Sequence, residues 1–104
     1  MLIEILAAIG AIMIAPIIFH IVLLTLALVI EWFDNYRYIV LSDPDNIAFT
    51  VKESLESGNY KVVQGIFNKR TSKVKEKEVK VMEAEDLDED FKKKHEKHKV
   101  AIYT

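Results

Sequence analysis

The chain has 104 residues, with 14 Lys and Arg against 16 Asp and Glu and a formal net charge of −2. It contains no cysteine, which excludes disulfides, iron–sulfur clusters and zinc–thiolate sites. Near-neutral charge of alternating sign argues against a nucleic-acid binder, which would carry one-sided basic charge.

Residues Ile5 to Ile30 read ILAAIGAIMIAPIIFHIVLLTLALVI, 26 residues without a charge. A helix rises ~1.5 Å per residue and crosses the hydrocarbon core of a bilayer in ~20 apolar residues. The run therefore predicts a single transmembrane helix, with tilt or a kink absorbing the excess length. A cleaved signal peptide would want a basic start and a shorter apolar core. Met1, Leu2, Ile3 and Glu4 bring no Lys or Arg, so a retained anchor is expected. All 14 Lys and Arg lie at or after Arg37. The positive-inside rule then places the short N-terminus outside and the C-terminal domain on the cytoplasmic or an equivalent side.

On a helical wheel, Ala7, Ala11, Ala15 and Thr25 share one face with Ile18, Val22 and Val29. Its first half is a small-residue series of the kind that lets helix backbones approach closely in a membrane. Pro16 removes a backbone donor and crowds the carbonyl of Ile12, so a kink is expected there. His20 is the one ionisable residue near the middle of the run. Three roles compete: an intramembrane hydrogen bond to a neighbouring helix or to the carbonyl freed by Pro16; an axial ligand to a haem or chlorophyll-type pigment, or a proton relay; and a neutral side chain facing lipid. A lone His lacks a second ligand, so the hydrogen bond is favoured and no cofactor is expected. Trp32 and Tyr36 follow the run as interfacial anchors. Residues 1–35 are thus read as a span with its interfacial end, and 36–104 as a small extramembrane domain.

In that domain, Tyr36 to Leu41 (YRYIVL) reads as a strand. Ser42-Asp43-Pro44-Asp45 reads as a helix start, with Ile47, Ala48, Val51 and Leu55 on one face and Gly58 as the terminating glycine. Phe49 falls off that face. Tyr60 to Phe67 is a second strand, Asn68 to Ser72 a turn, and Val74 to Ala84 a hairpin partner with Val79 and Val81 inward. Gly65 would mark a bulge. Asp86-Leu87-Asp88-Glu89 resembles a capping box opening a short helix, and Lys99 to Thr104 closes as a strand. Strand, helix, strand, strand, helix, strand is the ferredoxin-like βαββαβ order, two helices on one face of a four-stranded sheet. The segment SDPDNIAFTVKESLESGNY resembles, in topology, the opening of small regulatory ACT domains, although Asp45 stands where that pattern has glycine. The resemblance implies a ligand-binding regulatory role.

Catalytic constellations are missing from the pattern. No serine sits in a strand-to-helix elbow between glycines, and three scattered glycines form no phosphate-cradling loop. His95, Glu96 and His98 allow a metal reading, but zinc needs three or four convergent ligands, and KKKHEKHK reads more simply as a solvated charged helix. The expected function is non-catalytic. The chain would be an accessory subunit of a larger membrane complex, respiratory or photosynthetic, contacting the bilayer and other transmembrane subunits through its helix. The alternative is a membrane-tethered regulatory module whose α+β domain binds a small ligand or soluble protein.

Overall fold

The structure, a computed structural model, describes residues 2–10 and 17–103. β-Branched and aromatic residues at two-residue spacing build a mixed sheet in the order β1-β5-β3-β2-β6. β1 (Ile18–Leu24) lies on the outside, parallel to β5 (Lys80–Leu87). β5 runs antiparallel to β3 (Tyr60–Asn68), β3 to β2 (Asn46–Ser54), and β2 to β6 (Val100–Tyr103). The short β4 (Lys73–Val74) pairs with the far end of β3, and a 3-10 turn at Glu76–Glu78 carries the chain from there into β5.

Both faces of the sheet are covered. On one, Ala48, Val62, Met82, Ala84 and Leu87 meet α2 (Leu26–Asn35) through Val29 and Phe33 and α4 (Glu89–Lys94) through Phe91. α3 (Arg37–Leu41) continues from α2 along this side. On the other face, Phe49, Val51, Val63, Phe67, Val74 and Val81 pack with Ile5 of α1 (Leu2–Gly10), supported by Ala8 and Ile9. A central strand buried on both sides carries apolar residues at nearly every position, as VVQGIF in β3 does.

Helix ends are tied to the sheet by side-chain caps. The Thr25 hydroxyl accepts from the Leu28 amide at 3.2 Å. One Asp88 carboxylate oxygen accepts from both the Leu26 amide (3.1 Å) and the Phe91 amide (2.9 Å), capping α2 and α4 together. The buried Gln64 amide donates to the Val29 carbonyl at 3.3 Å and fastens α2 to β3. Because a single lost cap costs about 1 kcal/mol, Asp88→Ala is expected to destabilise the chain by about 2 kcal/mol in urea unfolding. Asp88→Asn, which keeps one acceptor oxygen, should retain most of that stability.

These features correct the expectation of a transmembrane helix with a ferredoxin-like domain. The apolar run is divided into α1, β1 and α2, and no helix among the described residues is long and apolar enough to cross a membrane. The integral, single-pass placement inferred from one long helix therefore falls. The physical reason is that length and lack of charge do not specify a helix. Ile18 and Ile21 are β-branched and pair with Val81 and Ala84 of β5, while Ile5 and Leu24 are needed in cores on opposite faces of the sheet.

The ferredoxin-like order fails because β1 joins the sheet from within the run and helices lie on both faces. YRYIVL is helix α3, not a strand. The expected helix from Pro44 to Leu55 is largely strand β2: alternation of Ile47, Phe49 and Val51 buries Phe49, which helical spacing left outside. The ACT-like reading fails with that helix. Gly58, with φ +93°, instead occupies the hairpin turn from β2 to β3, where the Leu55 amide donates to the Asn59 carbonyl at 2.8 Å. Gly65 is no bulge. It stands in unbroken register opposite Phe49, and a Cβ there would lie 3.3 Å from the Phe49 ring.

Candidate functional site

Two adjoining features concentrate chemistry, and neither includes the residues singled out from the apolar run. Ala7 is exposed on α1, and Thr25 is a helix cap, not a helix-packing contact. His20 is exposed on β1 opposite Glu83. Ala11, Ala15 and Pro16 lie outside the described residues. Trp32 and Tyr36 pack against each other in a tilted contact with ring centroids 4.6 Å apart, and Trp32 also meets Phe33 edge-on at 5.4 Å. They form an aromatic patch on α2 and do not flank a helical span.

The first feature is a buried polar relay. Thr50 on β2 is 0% exposed, and His95 at the end of α4 is 3% exposed. His95 Nδ1 lies 3.0 Å from the His98 carbonyl oxygen, which can only accept, so Nδ1 carries the proton. His95 Nε2 then accepts from the Thr50 hydroxyl at 2.8 Å, and the Thr50 oxygen accepts from the Tyr103 hydroxyl at 2.7 Å. The relay has one direction: tyrosine to threonine to histidine to backbone carbonyl. Burial pushes the His95 pKa below its ordinary value, and the Lys52 charge adds to this against the opposing effect of the His98 hydrogen bond. Burial pushes Tyr103 up to about 12.

A hydroxyl on a base that is itself oriented resembles an activated nucleophile. Thr50 offers no exposed atom to a substrate, so the geometry is that of a satisfied core network. Both His95 nitrogens are engaged, which removes it from the metal pair proposed with His98. Among the described residues, no three His, Asp or Glu converge on one point.

The second feature is a groove of ≈ 460 Å³ above Tyr103, walled by Ile30 and Phe33 of α2, Val40 and Leu41 of α3, and Ala48 of β2. Asp34, Arg37 and Lys94 stand at its rim, with Arg37 bonded to Asp34 at 2.9 Å. The Phe33 and Tyr103 rings are 5.1 Å apart, and the Lys94 ammonium lies 4.9 Å from the Tyr103 centroid. Across the relay, a shallower cavity of ≈ 420 Å³ exposes Lys52, Lys97 and Lys99 around His95 and His98.

Of these residues only His95 stood out in the sequence, as a candidate metal ligand, not as part of a buried network. Lys94 sat in a lysine-rich run that looked solvated, and Thr50 lay in a segment assigned to a helix. The available signal was the alternation from Ile47 to Val51, which puts Thr50 inside a strand.

A separate apolar surface runs along β1. Phe19, Val22 and Leu23 are 51%, 69% and 44% exposed, with Ile17, Ile18 and Leu28 exposed beside them. No protein-family model, curated protein or solved structure matches the chain.

Proposed function

We propose that this chain is a non-catalytic structural subunit that assembles through the outer edge of β1, pairing with the same edge of a second copy. The observation that carries the reading is an uncharged edge strand of seven residues, IFHIVLL, of which all but Ile21 and Leu24 are exposed. Native edges are usually guarded by lysine, proline or a bulge. β1 has none of these, and it keeps one offset against β5 from Ile18 to Leu24.

An antiparallel twofold pairing centred on Ile21 sets Ile18 opposite Leu24, Phe19 opposite Leu23, and His20 opposite Val22. No like charges meet, and each apolar cross-strand pair is worth roughly 0.2–1 kcal/mol. A strand partner also satisfies the backbone donors and acceptors of the outer edge. Hydrocarbon would leave them unpaired at several kcal/mol each, so a second strand fits this surface better than lipid does.

Sedimentation equilibrium of the full chain is expected to give twice the mass of one chain at micromolar concentration. Val22→Lys should give one chain mass with thermal stability nearly unchanged, because Val22 is 69% exposed. A wild-type chain that stays monomeric, or that floats with phosphatidylcholine vesicles as a monomer, contradicts the proposal.

A further inference from the structure

The groove between α2, α3 and β6 has a composition that selects a ligand. Its floor is Phe33, Ala48 and Tyr103, and Leu41 stands 74% exposed on its rim. Two cations and one carboxylate reach it: Asp34 is taken up by Arg37 at 2.9 Å, leaving the charge of Lys94 uncompensated. Lys94 rests over the Tyr103 ring at 4.9 Å, and no carboxylate pairs with it among the described residues. One net positive charge beside an apolar trough suits a monoanion with an apolar body; a phosphate dianion would leave a charge unmatched. The volume, ≈ 460 Å³, falls in the range of ~300–1,000 Å³ that small-molecule sites occupy.

We propose that this groove is a binding site for an apolar monocarboxylate of the medium-chain fatty-acid type. The acyl chain lies on Phe33 and Ala48 and covers Leu41, and the carboxylate is held by Lys94 with the unused donors of Arg37. The site is open at its rim, so its ionic contact is screened and contributes a modest factor, while burial of the chain supplies most of the affinity.

The test is an NMR titration of the full-length chain with decanoate. Saturable shifts are expected at Phe33, Leu41, Ala48 and Tyr103, with half-saturation below about 1 mM for a ligand of this size. Lys94→Gln should weaken decanoate roughly two- to fivefold, the scale of an exposed ion pair, and leave thermal unfolding unchanged. Decanol should bind wild type more weakly by the same factor and be indifferent to Lys94→Gln. Leu41→Ser, at an exposed position, should weaken both ligands. Absence of saturation, shifts scattered outside the groove, or decyltrimethylammonium binding as well as decanoate would each overturn the assignment.

Discussion

Phe49→Ala is expected to lower the free energy of unfolding by about 3–5 kcal/mol, the range for deleting a fully buried aromatic ring. Phe49 is 0% exposed and central to the cluster joining Ile5 of α1 to Val51, Val63, Phe67 and Val81 of the sheet. The chain makes specific room for it, since Gly65 stands opposite and any Cβ there would come within 3.3 Å of the ring. Loss of the ring opens a cavity under α1, the helix that covers this face among the described residues, so α1 amides should also lose hydrogen-exchange protection. A domain this small has a total stability of about 5–15 kcal/mol, so the variant sits near its unfolding threshold. Urea unfolding measures the difference. A change below about 1 kcal/mol would mean that Phe49 lies on the surface.

Thr50→Val is expected to cost about 1–3 kcal/mol although the side chains are nearly isosteric, because the change strands a buried acceptor on His95. Tyr103, half-buried beside the groove, can turn its hydroxyl to water, so the loss centres on the histidine. The same relay sets a pH dependence. The folded state keeps His95 neutral with its pKa below 6.5, so the unfolded chain takes up a proton first. Its contribution is fully present above pH 6.5 and is lost as pH falls from there through the folded-state value.

Tyr103 works in the opposite direction. Its folded pKa of about 12 exceeds the ordinary 10.0, so its contribution holds below pH 10 and is lost as pH rises towards 12. Unfolding midpoints in urea across pH 4–8 should show the acid-side loss in wild type and a smaller one in His95→Gln.

The C-terminal half of the fold could be read with fair accuracy from residue patterns, and the N-terminal half could not. Tyr60 to Phe67 carries β-branched residues at nearly every position, and both its ends are marked by turn residues, so strand β3 stood out. The short helix after residue 86 was foreseen but its cap was not: Asp86 and Leu87 end β5, and the carboxylate that accepts the Phe91 amide is that of Asp88; β6 fell inside the predicted terminal strand. The run from Ile5 to Ile30 misled because absence of charge reports burial or membrane with equal force. The choice between them rests on pairing with β5, more than fifty residues away. Residues 46–54 misled for a related reason. Ile47, Ala48, Val51 and Leu55 satisfy a helical period, whereas Ile47, Phe49 and Val51 satisfy a strand period. Contact with β3 and β6 decides between them, and Phe49 was the residue that the helical choice could not place.

The relay and the groove depend on non-local contacts still more. Thr50 meets His95 across 45 positions and Tyr103 across 53. No short motif could announce either feature. Lys94, which supplies the groove's unmatched charge, is one of three consecutive lysines, and Lys92 among them pairs instead with Asp86 and Glu89.

The proposed assembly requires β1 to be an open edge that a second copy completes. The chain lacks native cysteine, so Val22→Cys accepts a single spin label at a position 69% exposed. In a twofold antiparallel pairing centred on Ile21, the two labels sit on neighbouring strands ~4.8 Å apart, offset by two residues. Strong dipolar broadening is therefore predicted, removed by dilution with unlabelled chain. Sharp lines that do not change with labelled fraction or concentration would contradict it.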